Sequence, residues 1–215
     1  DRRVASALDA AAGGGTRIEC TDREVFGFPF RIGLRCGSVA VDAPANGVAA
    51  SAGALRTAAQ IYRPDRVVGE LDGPLVAVVP GAAPLELDWD LAQASTSLWT
   101  SGLERVSLAV DGPRVRPVDA APDAEPLARS QRLELHARRN GEALDLAFSD
   151  LGLVIVAPGL PTLAPFDVAG DLAIDGAADW LARGVPGGNA STALRGRSGT
   201  MRTLRFTLPG SGALE

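Results

Sequence analysis

The sequence predicts a mainly β fold of the α+β class, in which curved antiparallel meander sheets form a groove or a sandwich next to an N-terminal helix. Three observations support this. About ten segments alternate apolar and polar residues with the two-residue period of a strand. Short turn signals built from Gly, Asn, Asp and Pro separate most of them, which favours hairpins over helical crossovers. Helical patterns are confined to Asp1–Ala12 and Ala177–Arg183.

The first strands form a hairpin within Arg17–Val41, which contains both cysteines of the chain. A turn centred on Phe28 places Cys20 opposite Cys36, and opposed strand residues have Cα atoms about 4.5–5.5 Å apart, which a disulfide can span. A disulfide would indicate an oxidising compartment, and two buried free thiols are the alternative. The same register places four further residues on the apolar face with the cysteines: Ile18, Phe30, Ile32 and Leu34.

The next stretch contains one ambiguous segment and one turn. The alanines of Ala49–Tyr62 allow a helix, whereas the alternation within it is typical of a strand. Asp72-Gly73 predicts a turn that joins the strands Val67–Leu71 and Leu75–Val79. A second turn is predicted at Asp111-Gly112-Pro113, after the alternating segment that ends at Val110.

The clearest amphipathic strand is Leu85–Leu91, with Leu87 and Trp89 on its apolar face. Its polar face carries three carboxylates that could begin a calcium site. However, side chains at i and i+4 of a strand stand about 13 Å apart, so no single ion can bind all three. We therefore expect a solvated face and no metal at these residues: Glu86, Asp88 and Asp90.

Asn140-Gly141 is the strongest hairpin signal in the sequence. A two-residue turn there pairs Leu133 with Phe148 on the apolar face and His136 with Asp145 on the other. His136 is the only histidine, so any catalytic triad would have to use it, and no serine lies in a G-x-S-x-G turn. A surface cross-strand pair is the simpler interpretation, and we expect no catalytic residue.

Composition excludes several function classes. The 21 basic residues are all arginine, which rules out a phosphate loop ending in Gly-Lys and any lysine-linked cofactor. The net charge of −5 argues against a nucleic-acid partner, and no cofactor is indicated. We expect residues 1–215 to form a single domain with a possible internal boundary near 120–126. The pattern at both ends predicts a chain truncated from a longer one, with an N-terminal membrane anchor or export segment removed.

Seven aromatic and aliphatic residues are expected on inward faces. They either fill a plain core or line a groove for an apolar ligand, and both alternatives stay open at this point. An excess of apolar sheet surface over the few helical residues available to cover it would favour the groove. The candidate groove residues are Phe30, Ile32, Leu34, Leu87, Trp89, Trp99 and Phe148.

Four blocks of sequence carry a family resemblance: Phe26–Cys36, Gln60–Leu75, Ser95–Leu108 and Leu133–Arg138. Together they resemble an uncharacterised family of alphaproteobacterial envelope proteins, a domain of unknown function that is similar to AsmA/TamB-type proteins. The resemblance implies an inner-membrane anchor, a periplasmic location and a curved antiparallel sheet whose concave face is apolar. It also favours strand over helix for Ala49–Tyr62, and it assigns no catalytic residue.

We therefore expect a non-enzymatic periplasmic protein, anchored to the inner membrane in its full-length form, that binds or transports lipid-like apolar molecules. The alternative is a structural or protein-interaction module of the envelope with a filled core. A hydrolase that uses His136 and Asp145 is a third hypothesis.

Overall fold

In the part of the chain that the structure describes, seventeen strands, all paired antiparallel, form one continuous sheet, so the mainly β prediction is confirmed. The structure is a computed structural model and describes residues 16–27, 29–44, 47–99, 102–121, 123–156, 163–186 and 190–209. The expected N-terminal helix, Asp1–Ala12, lies outside these ranges. In the part of the chain that is described, no helix is long and apolar enough to cross a membrane.

The strands follow one another along the chain with short connections, and two four-residue helices lie near its end. They are β1 (Arg17–Cys20), β2 (Glu24–Phe26), β3 (Arg31–Cys36), β4 (Val39–Ala43), β5 (Val48–Ala52), β6 (Leu55–Gln60), β7 (Arg63–Leu71), β8 (Leu75–Val78), β9 (Leu85–Asp88), β10 (Leu91–Trp99), β11 (Gly102–Asp111), β12 (Arg114–Pro117), β13 (Ala128–Arg129), β14 (Arg132–Asn140), β15 (Ala143–Ile155), β16 (Phe166–Ile174), α1 (Trp180–Arg183), α2 (Ala190–Ala193) and β17 (Gly199–Thr207).

Pairing divides the sheet into two halves. The long half has the order β2, β3, β6, β7, β10, β11, β14, β15, β16, β17. The short half has the order β1, β4, β5, β8, β9, β12, β13, and its last strand is the C-terminal end of β15. Because β15 pairs in both halves, it joins them into one sheet.

The chain passes between the halves by interrupting its strands. β3 continues as β4 after Gly37-Ser38, and β11 continues as β12 after Gly112-Pro113. We call the line of these interruptions the corner. Hydrogen bonds continue along it, since the amide of Asp90 donates to the Asp111 carbonyl at 2.9 Å and that of Gly112 donates to the Gln131 carbonyl at 2.8 Å. The two halves therefore remain a single hydrogen-bonded surface that bends at the corner.

The predicted turns at Asp72-Gly73 and Gly112-Pro113 are part of the corner, so the prediction that the first of them joins a hairpin was wrong. β7 does not pair with β8, because the two lie in different halves. Glycine at Gly112 is explained by its φ of +59° and by the Asp90 carboxylate, which a Cβ there would strike. A glycine that is typical of a hairpin turn thus marks the point where the chain passes from one half of the sheet to the other.

The register of the first hairpin differs from the prediction by three residues. The turn is centred between Pro29 and Phe30, where the amide of Arg31 donates to the carbonyl of Gly27 at 3.1 Å. Glu24 consequently pairs with Arg35, and Cys20 pairs with Val39. The predicted disulfide is nevertheless present between Cys20 and Cys36, whose Cα atoms are 5.2 Å apart. It bridges the corner, because β1 belongs to the short half and β3 to the long half.

The hairpin at Asn140-Gly141 is present, with a register shifted by two residues. Asn140 pairs with Ala143, so the turn residues are Gly141 and Glu142. A shift of two preserves the face of every side chain, and the apolar face is therefore as predicted. However, Asp145 lies opposite Arg138 rather than opposite His136, so the predicted His136–Asp145 pair was wrong.

Ala49–Tyr62 is extended: it contains most of β5 and all of β6, and the strand favoured by the resemblance is confirmed. The connector 120–126 joins β12 and β13, two strands that pair with each other. The division into domains near this connector stays a prediction.

A small core lies at one end of the long half. Trp180 of α1 and Ala177 before it are buried against Leu144 and Ile174 of the sheet. The helix ends in Arg183, and the amide of Gly184 donates to the carbonyl of Trp180 at 2.9 Å. This segment covers the apolar face of β14, β15 and β16, and we call that region the covered end.

Candidate functional site

The antiparallel register assigns each side chain of the long half to one of two faces. Directly opposed residues share a face, so the row that starts at Leu34 continues through Thr57, Gly69 and Ala94 to Leu108. We call this the inner face, and it is almost entirely apolar. The outer face carries most of the arginines and acidic residues of these strands, together with His136. The sheet is therefore amphipathic across nine consecutive strand pairings.

A cleft of about 470 Å³ lies between the inner face of the long half and the short half. Ligand sites for small apolar molecules are typically clefts of about 300–1,000 Å³, so this one has room for such a ligand. The long half contributes Leu55, Thr57, Val67, Val68, Gly69, Glu70, Leu71, Ala92, Gln93, Ala94, Thr96, Leu108, Val110, Leu133 and Leu135, and the short half and the corner contribute Leu75, Leu87, Trp89, Pro113, Arg114 and Val115.

Trp89 lies at the corner itself, where β9 passes into β10. Its indole Nε1 donates a hydrogen bond of 2.9 Å to the carbonyl of Leu71, which satisfies the single polar atom of the ring. The rest of the indole is apolar and faces the cleft next to Leu87. Both of these predicted groove candidates therefore line the cleft.

Two other candidates lie on the inner face beyond the cleft lining. Leu34 is directly opposite Thr57, and its amide donates to the Thr57 Oγ1 at 3.3 Å. Phe148 is opposite Leu135, and its ring covers Gly170 of β16. The inner face thus continues past the cleft on both sides.

The remaining candidates lie elsewhere. Phe30 is 78% exposed in the turn between β2 and β3, so its predicted inward position was wrong. The turn is centred one and a half residues later than predicted, and this moves Phe30 out of the strand. Ile32 belongs to the inner face but is half-exposed near the end of β3. The side chain of Trp99 lies outside the part of the chain that the structure describes.

The cleft is mainly apolar in chemical character. Its walls are aliphatic and aromatic side chains and its polar atoms are few, which suits an apolar ligand. Among the described residues, no three acidic, histidine or cysteine side chains lie close enough together to hold a metal ion.

The model of DUF2125, described as an uncharacterized protein conserved in bacteria, matches residues 1–212 of the 215. The chain belongs to this family. No curated protein matches it, and no solved structure does.

The DUF2125 chain has a partly buried carboxylate, that of Asp150, beside the cleft. Asp150 lies on the inner face opposite Leu133, and its Oδ1 is buried and makes no hydrogen bond with any described residue. Burial raises the pKa of Asp150, a hydrogen bond from Ser130 opposes this, and the nearby charge of Asp167 raises it further. The sequence does not single out this residue. An Asp at an inward position suggests that the predicted register is wrong rather than that the residue has a role.

A second buried carboxylate lies on the outer face of the DUF2125 sheet. Asp145 is 5% exposed and accepts hydrogen bonds from Arg138 at 2.9 Å and Arg202 at 2.8 Å. Burial by itself would raise the pKa of Asp145, but the bonds from these two arginines outweigh it and lower that pKa. His136, in contrast, lies 3.6 Å from the Glu134 carboxylate. Asp145 is therefore held by the two arginines and not by the histidine.

Most of the cleft lining was not among the predicted site residues. Leu71 and Leu75 flank Gly73, and Val110 and Val115 flank Gly112. A signal was available, since each pair of apolar residues brackets a glycine that interrupts the alternation. Read as hairpin turns, these glycines place the two residues side by side, whereas at a corner they face each other across the bend.

Proposed function

We propose that this DUF2125 chain is a non-enzymatic protein of the cell envelope that binds or passes lipid-like apolar molecules along the cleft. The observation that carries the proposal is the 470 Å³ space between the halves, lined by apolar side chains from both. Protein interiors are normally packed to the density of organic crystals, so an unfilled apolar space of this size favours an occupant.

The shape of the cleft supports an elongated ligand. Its lining extends across five neighbouring strands of the long half, from Leu55 on β6 to Leu135 on β14, although β15 contributes none. Neighbouring strands are about 4.8 Å apart, so the cleft runs across the strands for about 20 Å. An acyl chain matches this geometry better than a compact polar metabolite does.

The location is part of the proposal. The Cys20–Cys36 disulfide is consistent with an oxidising compartment, which supports the envelope. We place the protein in the periplasm, held to the inner membrane by an N-terminal segment. The bent antiparallel sheet with an apolar inner face also supports a relation to AsmA/TamB-type proteins, and an alphaproteobacterial origin stays a prediction.

Mass spectrometry of lipids extracted from protein purified out of native membranes tests the proposal. We expect a co-purified apolar molecule in the unaltered chain. Ala94→Phe places a ring inside the cleft and should reduce the bound lipid several-fold while the protein stays folded. Ala109→Phe is the matched control, because Ala109 is a small residue on the outer face of the neighbouring strand.

Two results would overturn the proposal. One is the absence of any apolar molecule from the purified protein, combined with no uptake of the fluorescent probe N-phenylnaphthylamine. The other is equal loss of ligand in the Ala94→Phe and Ala109→Phe variants. Either result would favour the structural or protein-interaction module.

A further inference from the structure

Three hairpins of the long half, β2–β3, β6–β7 and β10–β11, have their closed ends at the edge of the sheet opposite the corner. Near each closed end, described apolar side chains lie in solvent. We call this row of three hairpin ends the tip edge. The amide of Ile61 donates to the carbonyl of Phe30 at 3.1 Å, so the first two turns are direct neighbours. The exposed side chains of the tip edge are Phe30 (78%), Tyr62 (74%), Ile61 (47%) and Leu98 (41%).

Exposed aromatic and aliphatic residues at consecutive turns are costly in water unless they have a partner. Turns have no structural need for them, since Gly, Asn, Asp and Ser form such turns equally well. The fourth turn at this end of the sheet illustrates the difference, because Gly141 and Glu142 form it without any apolar side chain. Apolar side chains are therefore not a general requirement of the hairpin turns at this edge.

Basic residues lie directly behind these turns. Arg31, Arg63 and Arg66 follow the first two, and Arg105 follows the third. Within four positions on either side of these turns there is one more arginine, Arg23, and the acidic residues are Glu24, Asp65 and Glu104, so five arginines accompany three carboxylates. The edge thus carries a surplus of two positive charges on a chain whose net charge is −5.

We infer that the tip edge docks onto the surface of a bilayer that contains anionic lipid. Aromatic residues favour the headgroup region, and aliphatic ones favour the acyl boundary just below it. Arginines behind them meet the anionic headgroups, which attract each basic residue near the surface. The combination of apolar tips and a basic row matches this layered surface. A flat protein partner would offer no reason for the apolar groups to lie in front of the charges.

Docking at the tip edge would also place the cleft near the bilayer. Val67 and Thr96 line the cleft and lie on the strands that enter and leave the exposed turns. The inference does not rest on the proposed function, however, because a protein can bind a membrane with an empty cleft.

Co-sedimentation with vesicles tests the inference. One set contains phosphatidylcholine alone, and the other contains phosphatidylglycerol in addition. We expect binding to the anionic vesicles that weakens as salt is added. The double variant Ile61→Ser with Tyr62→Ser should lower the partition coefficient about tenfold or more, the scale expected for two large side chains that leave an apolar environment. The double variant Arg66→Gln with Arg105→Gln should lower it about tenfold or more for anionic vesicles only.

Matched controls come from the far end of the short half. Val79→Ser with Val118→Ser removes two apolar groups, of which Val118 is 47% exposed, as is Ile61. Arg17→Gln removes an exposed arginine of β1. We expect both controls to bind vesicles as the unaltered chain does, and Ala94→Phe to do so as well, which separates this result from failure of the cleft proposal.

Three results would overturn the inference. The first is no binding to anionic vesicles. The second is an equal effect of the tip variants and the control variants. The third is a fall in molar mass by light scattering when Ile61 and Tyr62 are substituted, since the tips would then join copies of the chain.

Discussion

The covered end and the cleft are two regions of the same apolar face with different surroundings. Leu144 on β15 and Leu135 on β14 both point to the inner face, yet Leu144 is 5% exposed and Leu135 is 42% exposed. The difference comes from Trp180 and Ala177, which pack onto Leu144 and not onto Leu135. The alternation of an amphipathic strand therefore determines which side chains lie on the inner face. A separate segment, here the one with Trp180 and Ala177, determines whether those side chains are buried.

The comparison has an energetic consequence. Burial of apolar surface stabilises a fold by about 25 cal/mol per Å², so residues of the covered end contribute their full transfer free energy. Residues of the cleft contribute only part of it until a ligand covers them. Substitutions in the two regions should therefore separate stability from ligand binding.

The largest difference is expected from an introduced charge. Leu144→Glu buries a carboxylate without a partner and should lower the free energy of unfolding by about 4 kcal/mol or more, which is enough to unfold the domain. Leu87→Glu lies in the open cleft, where water can solvate the charge, and should leave the domain folded but without apolar ligand. Chemical denaturation and lipid analysis of both variants measure this. Unfolding by Leu87→Glu would show that the cleft is a closed core.

Substitution by alanine should also destabilise the covered end more than the cleft, with smaller losses of the free energy of unfolding. Leu144→Ala is expected to cost about 2–5 kcal/mol, the range for a fully buried leucine. Leu135→Ala should cost below about 1 kcal/mol, because its side chain is already in contact with solvent. Urea midpoints of the two variants check the prediction. Equal losses would mean that the two regions are covered to the same extent in solution.

Removal of the disulfide should act on both regions alike. The cross-link joins residues 16 positions apart, and closing a loop of this size contributes about 3 kcal/mol in the chain-entropy model. Cys20→Ala with Cys36→Ala should therefore lower stability by about 3 kcal/mol without changing which lipid is bound. Denaturation under oxidising and reducing conditions provides the control, since reduction should destabilise only the unaltered chain. Two alkylatable thiols in the native protein would contradict the bridge.

The smallest expected effect concerns the outer face behind the covered end. Asp145→Ala removes the shared partner of Arg138 and Arg202 and should cost about 1–3 kcal/mol, since the half-exposed arginines can be solvated afterwards. Because the folded pKa of Asp145 is lowered, its contribution is complete above the ordinary pKa of about 4 and is lost as the pH falls through the folded value. Denaturant midpoints between neutral and acidic pH measure this loss.

The control for that series is Asp119→Ala, an exposed residue that makes no ion pair with any described residue. Its pH dependence should match that of the unaltered chain. If Asp145→Ala shows the same acid-induced loss as the unaltered chain, the carboxylate does not supply the stability assigned to it.

Sequence reasoning predicted the strands and their faces more reliably than their partners. The two-residue period assigned Leu87, Trp89 and Phe148 to the inner face, because alternation is a local property of the chain. The registers of both hairpins were displaced, by three residues near Phe28 and by two near Asn140, because turn composition locates a turn only to within a few residues. The disulfide pairing survived the displaced register, since both cysteines lie beside the corner.

The corner could not be predicted from local sequence. The segments around Gly73 and Gly112 have the composition of hairpin turns. Only the pairing of distant strands shows that the chain continues into the other half of the sheet at both glycines. The position of the covered end was likewise a tertiary property. Ala177–Arg183 was predicted as helical, but its docking site includes Leu144, which lies about 36 residues before Trp180 in the chain. This contact is set by the order of the strands in the sheet rather than by local sequence.

The corner also has a consequence for the size of cargo that such a sheet can carry. Each hairpin whose strands bend at the corner crosses it and returns. One more such hairpin would therefore lengthen the cleft by two strand spacings, about 10 Å, and leave its cross-section unchanged. Capacity in this architecture therefore scales with the number of strands rather than with their length. A relative with more hairpins would hold a longer molecule, or several molecules end to end, with no change in the chemistry of the cleft lining.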